Sequence, residues 1–180
     1  MKHAIQISAL ACAIAVIAAP TFPAAQAPAS IKTEMLKDWS DLKATMVKIA
    51  GEMPADKFAF KPTPAQQTFG ERVVHIASVN NRFLGSIGGK AAAPALDAKA
   101  AAMTKDAAIK AMSDSFDYGT ALLNEQSDQS MMQVVMPPFI GASSRARAFT
   151  FLIGHTWDIY GQMAVYLRMS GGVPPASQRP

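Results

Sequence analysis

The stretch Gly154–Ser177, GHTWDIYGQMAVYLRMSGGVPPAS, decides how the rest of the chain is read. Ile159, Met163, Tyr166 and Leu167 recur at three- and four-residue spacing, which is one face of an α-helix. Arg168 falls in the last turn, where a cation suits the negative end of the helix dipole. Gly171-Gly172 stops the helix, and the following VPPASQRP cannot resume it. Upstream, Ala148, Phe149 and Leu152 carry the same stripe back to a start at Ser143 or Ser144. One histidine, His155, lies within this stripe. Asp158 follows three residues later, and Ile159 occupies the next place on that face where a second histidine could sit.

Three further segments repeat the helical pattern. Ile31, Met35, Trp39, Leu42, Met46, Ile49 and Met53 mark a helix that Pro54 ends. The connection PADKFAFKPTPAQQ is expected to be held extended by Pro62 and Pro64, with Phe58 and Phe60 packed on the helices. A second helix starts at Thr68, an N-cap with Glu71 at the capping-box position, and runs to Gly88-Gly89. Its apolar face is Phe69, Val73, Ile76, Phe83, Leu84 and Ile87. A loose linker leads to Met103. The third helix spans Thr104 to about Gln126, with Ala108, Met112, Phe116, Gly119 and Leu123 as its stripe. The loop SDQSMMQVVMPPFIGASS is long and partly apolar, so it is expected to fold over the bundle as a lid or arm. No strand-length alternation of β-branched residues occurs. Four amphipathic helices of this length predict an all-α four-helix bundle.

Residues 1–29 stand apart. Met1-Lys2-His3 is a short basic start, Ala4 to Ala19 is uncharged and apolar, and a small-residue stretch follows. That is the layout of a secretory signal, followed by one domain over residues 30–180. The apolar run is short for a membrane span, so no integral span is expected in the mature chain. Cleavage after Ala27 or after Ala29 both fit the small-residue rule; the latter makes Ser30 the first residue. The only cysteine, Cys12, lies in the apolar run, and Ala9 stands where a lipoprotein signal has a leucine-type residue. The product is therefore expected to be exported, periplasmic or secreted, with no disulfide and no thiol nucleophile.

Half of the residues are hydrophobic, which suits a packed helical domain and excludes a disordered chain. Of the 17 Lys+Arg only Lys2 is lost with the signal, which leaves 16 against 13 Asp+Glu. These charges are scattered, so nucleic acid is not an expected partner.

The mature chain has two histidines, His75 and His155. Apart from His155, Asp158 has no base three or four residues away on its own helix, so a partner from elsewhere is expected. Three readings of these residues stand side by side. His75, His155 and Asp158 are enough donors to hold a divalent metal with open positions. Alternatively, Asp158 charges and orients His155, which moves a proton. Thirdly, the histidines are structural, as a lone helical histidine most often is. Trp39 and Trp157 are read as packing residues, the spaced methionines as core filler, and Gly161 as a point of close helix approach.

Two stretches resemble the DinB/YfiT-like metalloenzyme family. One is FAFKPTPAQQTFGERVVHIASVNNRFLG, Phe58–Gly85, similar to the family's entry into its second helix. The other is Gly154–Ser177, similar to its fourth helix and tail. The third helix matches only in pattern. The resemblance implies an up-down-down-up bundle in which three histidines hold a divalent metal such as zinc or nickel. Carried over, the first is His75 and the second His155, while the third falls on Ile159, which has no lone pair to give. Asp158 or a water is then the candidate to complete a weaker set, with Ile159, Gln162 and Tyr166 around the pocket. Activities known in the family include thiol transfer, maleylpyruvate isomerisation and other metal-dependent reactions of hydrolase or transferase type. Export argues against the thiol-dependent ones. The alternatives are a non-catalytic bundle that has lost its metal and binds a small molecule or a partner, and a bundle that dimerises through a helix face.

Overall fold

The structure, a computed structural model, describes residues 30–178. The expected signal segment, its cleavage site, Lys2, His3 and Cys12 lie outside them. In chain order the elements are α1 (Ile31–Glu52), α2 (Phe69–Leu84), α3 (Ala98–Ala101), α4 (Lys105–Asn124), α5 (Asp128–Met131), β1 (Val134–Val135), β2 (Ser143–Ser144) and α6 (Arg145–Met169). The four long helices, α1, α2, α4 and α6, make the bundle; α3 and α5 are single turns, and β1 pairs antiparallel with β2. No described helix is long and apolar enough to cross a membrane.

Each long helix starts on a side-chain cap. Ser30, Thr68, Thr104 and Ser144 accept from the backbone N–H three residues on. Such caps contribute about 1 kcal/mol each. At α2 the capping box is complete, with Glu71 accepting from the Thr68 N–H at 2.7 Å. At α1 the Asp128 carboxylate adds a second layer, accepting from the Ser30 hydroxyl at 2.7 Å and the Lys32 N–H at 2.9 Å.

Contacts at the helix ends fix the directions. Asp128 joins the start of α1 to the chain just beyond the end of α4, and Lys105 at the start of α4 donates to the Gly51 and Met53 carbonyls at the end of α1. These two helices are antiparallel. Gly70 at the start of α2 lies against Ala102, just before α4, while Gly89 beyond α2 lies against Leu122 near the end of α4. These two are parallel. Tyr166 near the end of α6 reaches the Gln67 carbonyl before α2, and Arg145 at the start of α6 reaches the Ile87 carbonyl after it. These are antiparallel. The bundle is therefore up-down-down-up, with α1 and α2 each packed between α4 and α6.

The core centres on Trp39, which is fully buried. Its ring tilts against Phe116 at 4.8 Å and meets Phe149 edge-on at 5.6 Å. Its Nε1–H donates to the Phe116 carbonyl at 2.9 Å, so the indole brings no unpaired donor inside. Gly119 makes room for it: a Cβ there would lie 2.5 Å from the indole.

Several expectations are corrected. The stripes on α2, α4 and α6 are buried as read, but Ile31 on α1 is exposed. α2 ends at Leu84, and Gly88 (φ 77°) and Gly89 (φ 151°) turn the chain only after Ile87 has been tucked into the core. The segment with Pro62 and Pro64 is a series of turns rather than extended. It curls because the Phe60 and Phe58 carbonyls accept from the Phe69 and Gly70 N–H groups, two of the unpaired donors at the start of α2. Phe58 is buried there, and Phe60 packs edge-on to Tyr166 at 6.1 Å. Gly161 faces open space, so close helix approach belongs to Gly119. Trp157 is 46 % exposed and packs on Tyr160, whereas the spaced methionines Met46, Met53, Met112 and Met163 are buried as read. The loop after α4 is an arm built from α5 and the β1–β2 ladder.

Candidate functional site

The antiparallel pairing of α2 and α6 brings together two residues 80 positions apart in sequence. His75 and His155 meet with ring centroids 5.4 Å apart and planes at 63°. Both are half-buried. The Nε2 of His155 is buried and has no hydrogen-bond partner. Leaving a buried polar atom unpaired costs about 1–3 kcal/mol.

Burial lowers the pKa of both rings from the ordinary 6.5. At His75 the neighbouring His155 and then Arg72 lower it further. At His155 the Asp158 carboxylate acts in the opposite direction, and burial prevails. Both imidazoles are therefore neutral at pH 7, each with one N–H to give and one lone pair to receive.

Asp158 is exposed, and its partner is on its own helix: Gln162 Nε2 donates to it at 2.8 Å. The expectation of a partner from another element is thereby corrected; an amide on the same helix and exposure to solvent suffice. Glu71, one turn before His75, is engaged in the capping box. Among the described residues no group of three His, Cys, Asp or Glu is arranged to hold a metal. Two imidazoles are one fewer than the three protein ligands of catalytic zinc sites.

Ile159 is 2 % exposed and sits one turn beyond His155 in the core. Tyr166 is also buried, and its hydroxyl donates to the Gln67 carbonyl at 2.9 Å, pinning the end of α6 to the start of α2. Gln162 is half-buried beside Asp158. None of Ile159, Gln162 and Tyr166 lines the two cavities onto which His75 opens.

Those cavities share His75 and Ser78. The larger, about 560 Å³, runs between α2, the turn after α1 and α3, with Phe58, Glu71, Val74 and Lys99 among its walls. The smaller, about 240 Å³, lies between α2 and the arm and is lined by Val79, Arg82, Phe83, Pro138 and Phe139 as well. Ser78 and Arg82 follow His75 at three and seven residues, a helical line visible in the sequence. Pro138 and Phe139 come from the arm, and no spacing pattern announces them. Phe139 has φ 72°, the sole positive φ at a non-glycine among the described residues. For a bulky residue this costs about 1–3 kcal/mol. Its ring nevertheless stays 76 % exposed, with the Arg82 guanidinium 5.4 Å from its centroid.

The DinB superfamily profile matches residues 39–163, which include both histidines and most of all four long helices. The chain belongs to the DinB superfamily. A DinB-like protein from Bacillus cereus superposes with a TM-score of 0.62 at 16 % identity, over 79 % of this chain and 95 % of that one. YfiT from Bacillus subtilis, described as a probable metal-dependent hydrolase with an unusual four-helix bundle topology, superposes with a TM-score of 0.59 at 17 % identity, over 83 % and 94 %. At such identities the likeness speaks for the fold. No curated protein matches the chain. Within this DinB-superfamily bundle, the α2–α6 seam holds the one buried imidazole nitrogen without a partner among the described residues and opens onto both cavities through His75. Its donor set does not fit a three-histidine metal centre.

Proposed function

We propose that this chain is an exported DinB-superfamily bundle that binds a small molecule in the groove along α2, with the His75–His155 pair as its polar contact. The place of the third metal-binding histidine is taken by Ile159. The observation that carries this reading is the buried, unpartnered Nε2 of His155, whose ring stands 5.4 Å from that of His75 across the α2–α6 seam. Two neutral rings offer donors and acceptors to an uncharged or polar group without needing a metal. Export rests on the three-part layout of residues 1–29. In an envelope fraction the mature product should begin near Ser30; an uncleaved cytosolic product contradicts the proposal.

A second reading is favoured by the convergence of the two histidines. In it a divalent metal is held by His75 and His155 with Asp158 as third ligand, for hydrolase- or transferase-type chemistry. It requires Asp158 to leave Gln162 and turn inward. Metal analysis of untagged protein separates the two. The ligand-binding reading expects less than one equivalent of zinc or nickel at purification and a strong gain in affinity in Ile159→His. One retained equivalent, lost in His155→Ala, establishes the second reading instead.

A further inference from the structure

We propose that the smaller cavity, between α2 and the arm, is a site for a small organic carboxylate with an apolar body, which Arg82 holds and Phe139 covers. This rests on the reading of the α2 groove as a ligand site and names the class of ligand.

Arg82 lies at one end of the 240 Å³ cavity. Among the described residues it has neither an ion pair nor a hydrogen bond, although four lysine–aspartate pairs form elsewhere on the surface. Its described partner is the Phe139 ring. Stacking on a ring leaves the guanidinium edge free, and that edge matches the two oxygens of a carboxylate. The walls between, Val79, Phe83, Pro138 and Phe139, are apolar. At the far end stand His75 and Ser78. The Ser78 hydroxyl already donates to the Val74 carbonyl at 3.1 Å, so it remains as an acceptor beside a neutral imidazole. One end of the cavity thus suits an anion, the middle a hydrocarbon or aryl group, and the inner end a neutral polar group.

Phe139 gives a second, independent observation. Burial does not explain where it sits, since the ring is mostly exposed, and its backbone is in a region that bulky residues avoid. Strained residues that local packing does not reward cluster at ligand clamps. A cavity of this volume is below the usual range for drug-sized ligands, which favours an acid of few heavy atoms over a peptide or nucleotide.

The test titrates the untagged mature protein with phenylacetate and with its uncharged isostere phenylacetamide, following the two histidine side chains by NMR. We expect phenylacetate to bind at least tenfold more tightly than the amide and to shift the His75 signals. In Arg82→Gln that preference should disappear. Phe139→Gly should weaken phenylacetate several-fold while leaving Tm no lower than wild type, because glycine accepts φ 72° without strain. Equal affinity for acid and amide, or a preference that survives Arg82→Gln, overturns the carboxylate assignment and leaves the groove as a ligand site. Failure of both probes to bind also overturns the assignment. The histidine reading is judged separately, by metal content.

Discussion

The bundle joins its helices in two contrasting ways. Where α1 meets α4, the Trp39 indole fills the space left by Gly119, and its N–H is paired to the Phe116 carbonyl. Where α2 meets α6, two histidines face each other, one buried nitrogen is left unpaired, and two cavities open beside His75. The first junction is built for stability. The second leaves a buried polar atom unpaired, at some cost in stability.

Substitutions can break this contrast. Trp39→Ala should cost about 3–5 kcal/mol in denaturant unfolding, as expected for removing a fully buried aromatic. Gly119→Ala should cost about 1–3 kcal/mol, because the new methyl drives into the indole. A value near zero there means that the junction is looser than described. At the other seam the sign should reverse. His155→Leu removes the unpaired nitrogen and should stabilise the fold by about 1 kcal/mol. A loss of 2 kcal/mol or more would show that His155 is an ordinary core residue.

The smallest expected effect is a pH dependence. A histidine whose pKa is lowered by folding binds protons more readily in the unfolded chain. Its contribution is therefore full above the unfolded value of about 6.5 and is lost as pH falls from there toward the folded pKa. Wild-type Tm should decline below pH 6.5, and His155→Leu should decline less.

The same contrast explains what was legible in the sequence. The Trp39 side follows from helical spacing, because Trp39, Leu42, Met46 and Ile49 recur on one face and bury as that spacing requires. Thr68 with Glu71 announced the start of α2, and the capping box is there. The meeting of His75 with His155 was not contained in any local pattern; it depends on α2 and α6 running antiparallel, which the resemblance supplied and the end contacts display. For Asp158 the sequence shows charge but not exposure. At the surface an i+4 amide suffices. Phe139 was invisible, since its role depends on a backbone turn in the arm and on Arg82 from another element.

In the proposed reading the α2–α6 seam keeps two histidines of a metal centre without the third donor. Metal content and zinc affinity, measured side by side on untagged wild type and Ile159→His, test it most directly. The wild type is expected to hold substoichiometric, readily removed metal. The variant is expected to hold close to one tightly bound equivalent, and the opposite pattern contradicts the reading. A wild type that keeps one equivalent through dialysis against a chelator, with no gain from Ile159→His, contradicts it.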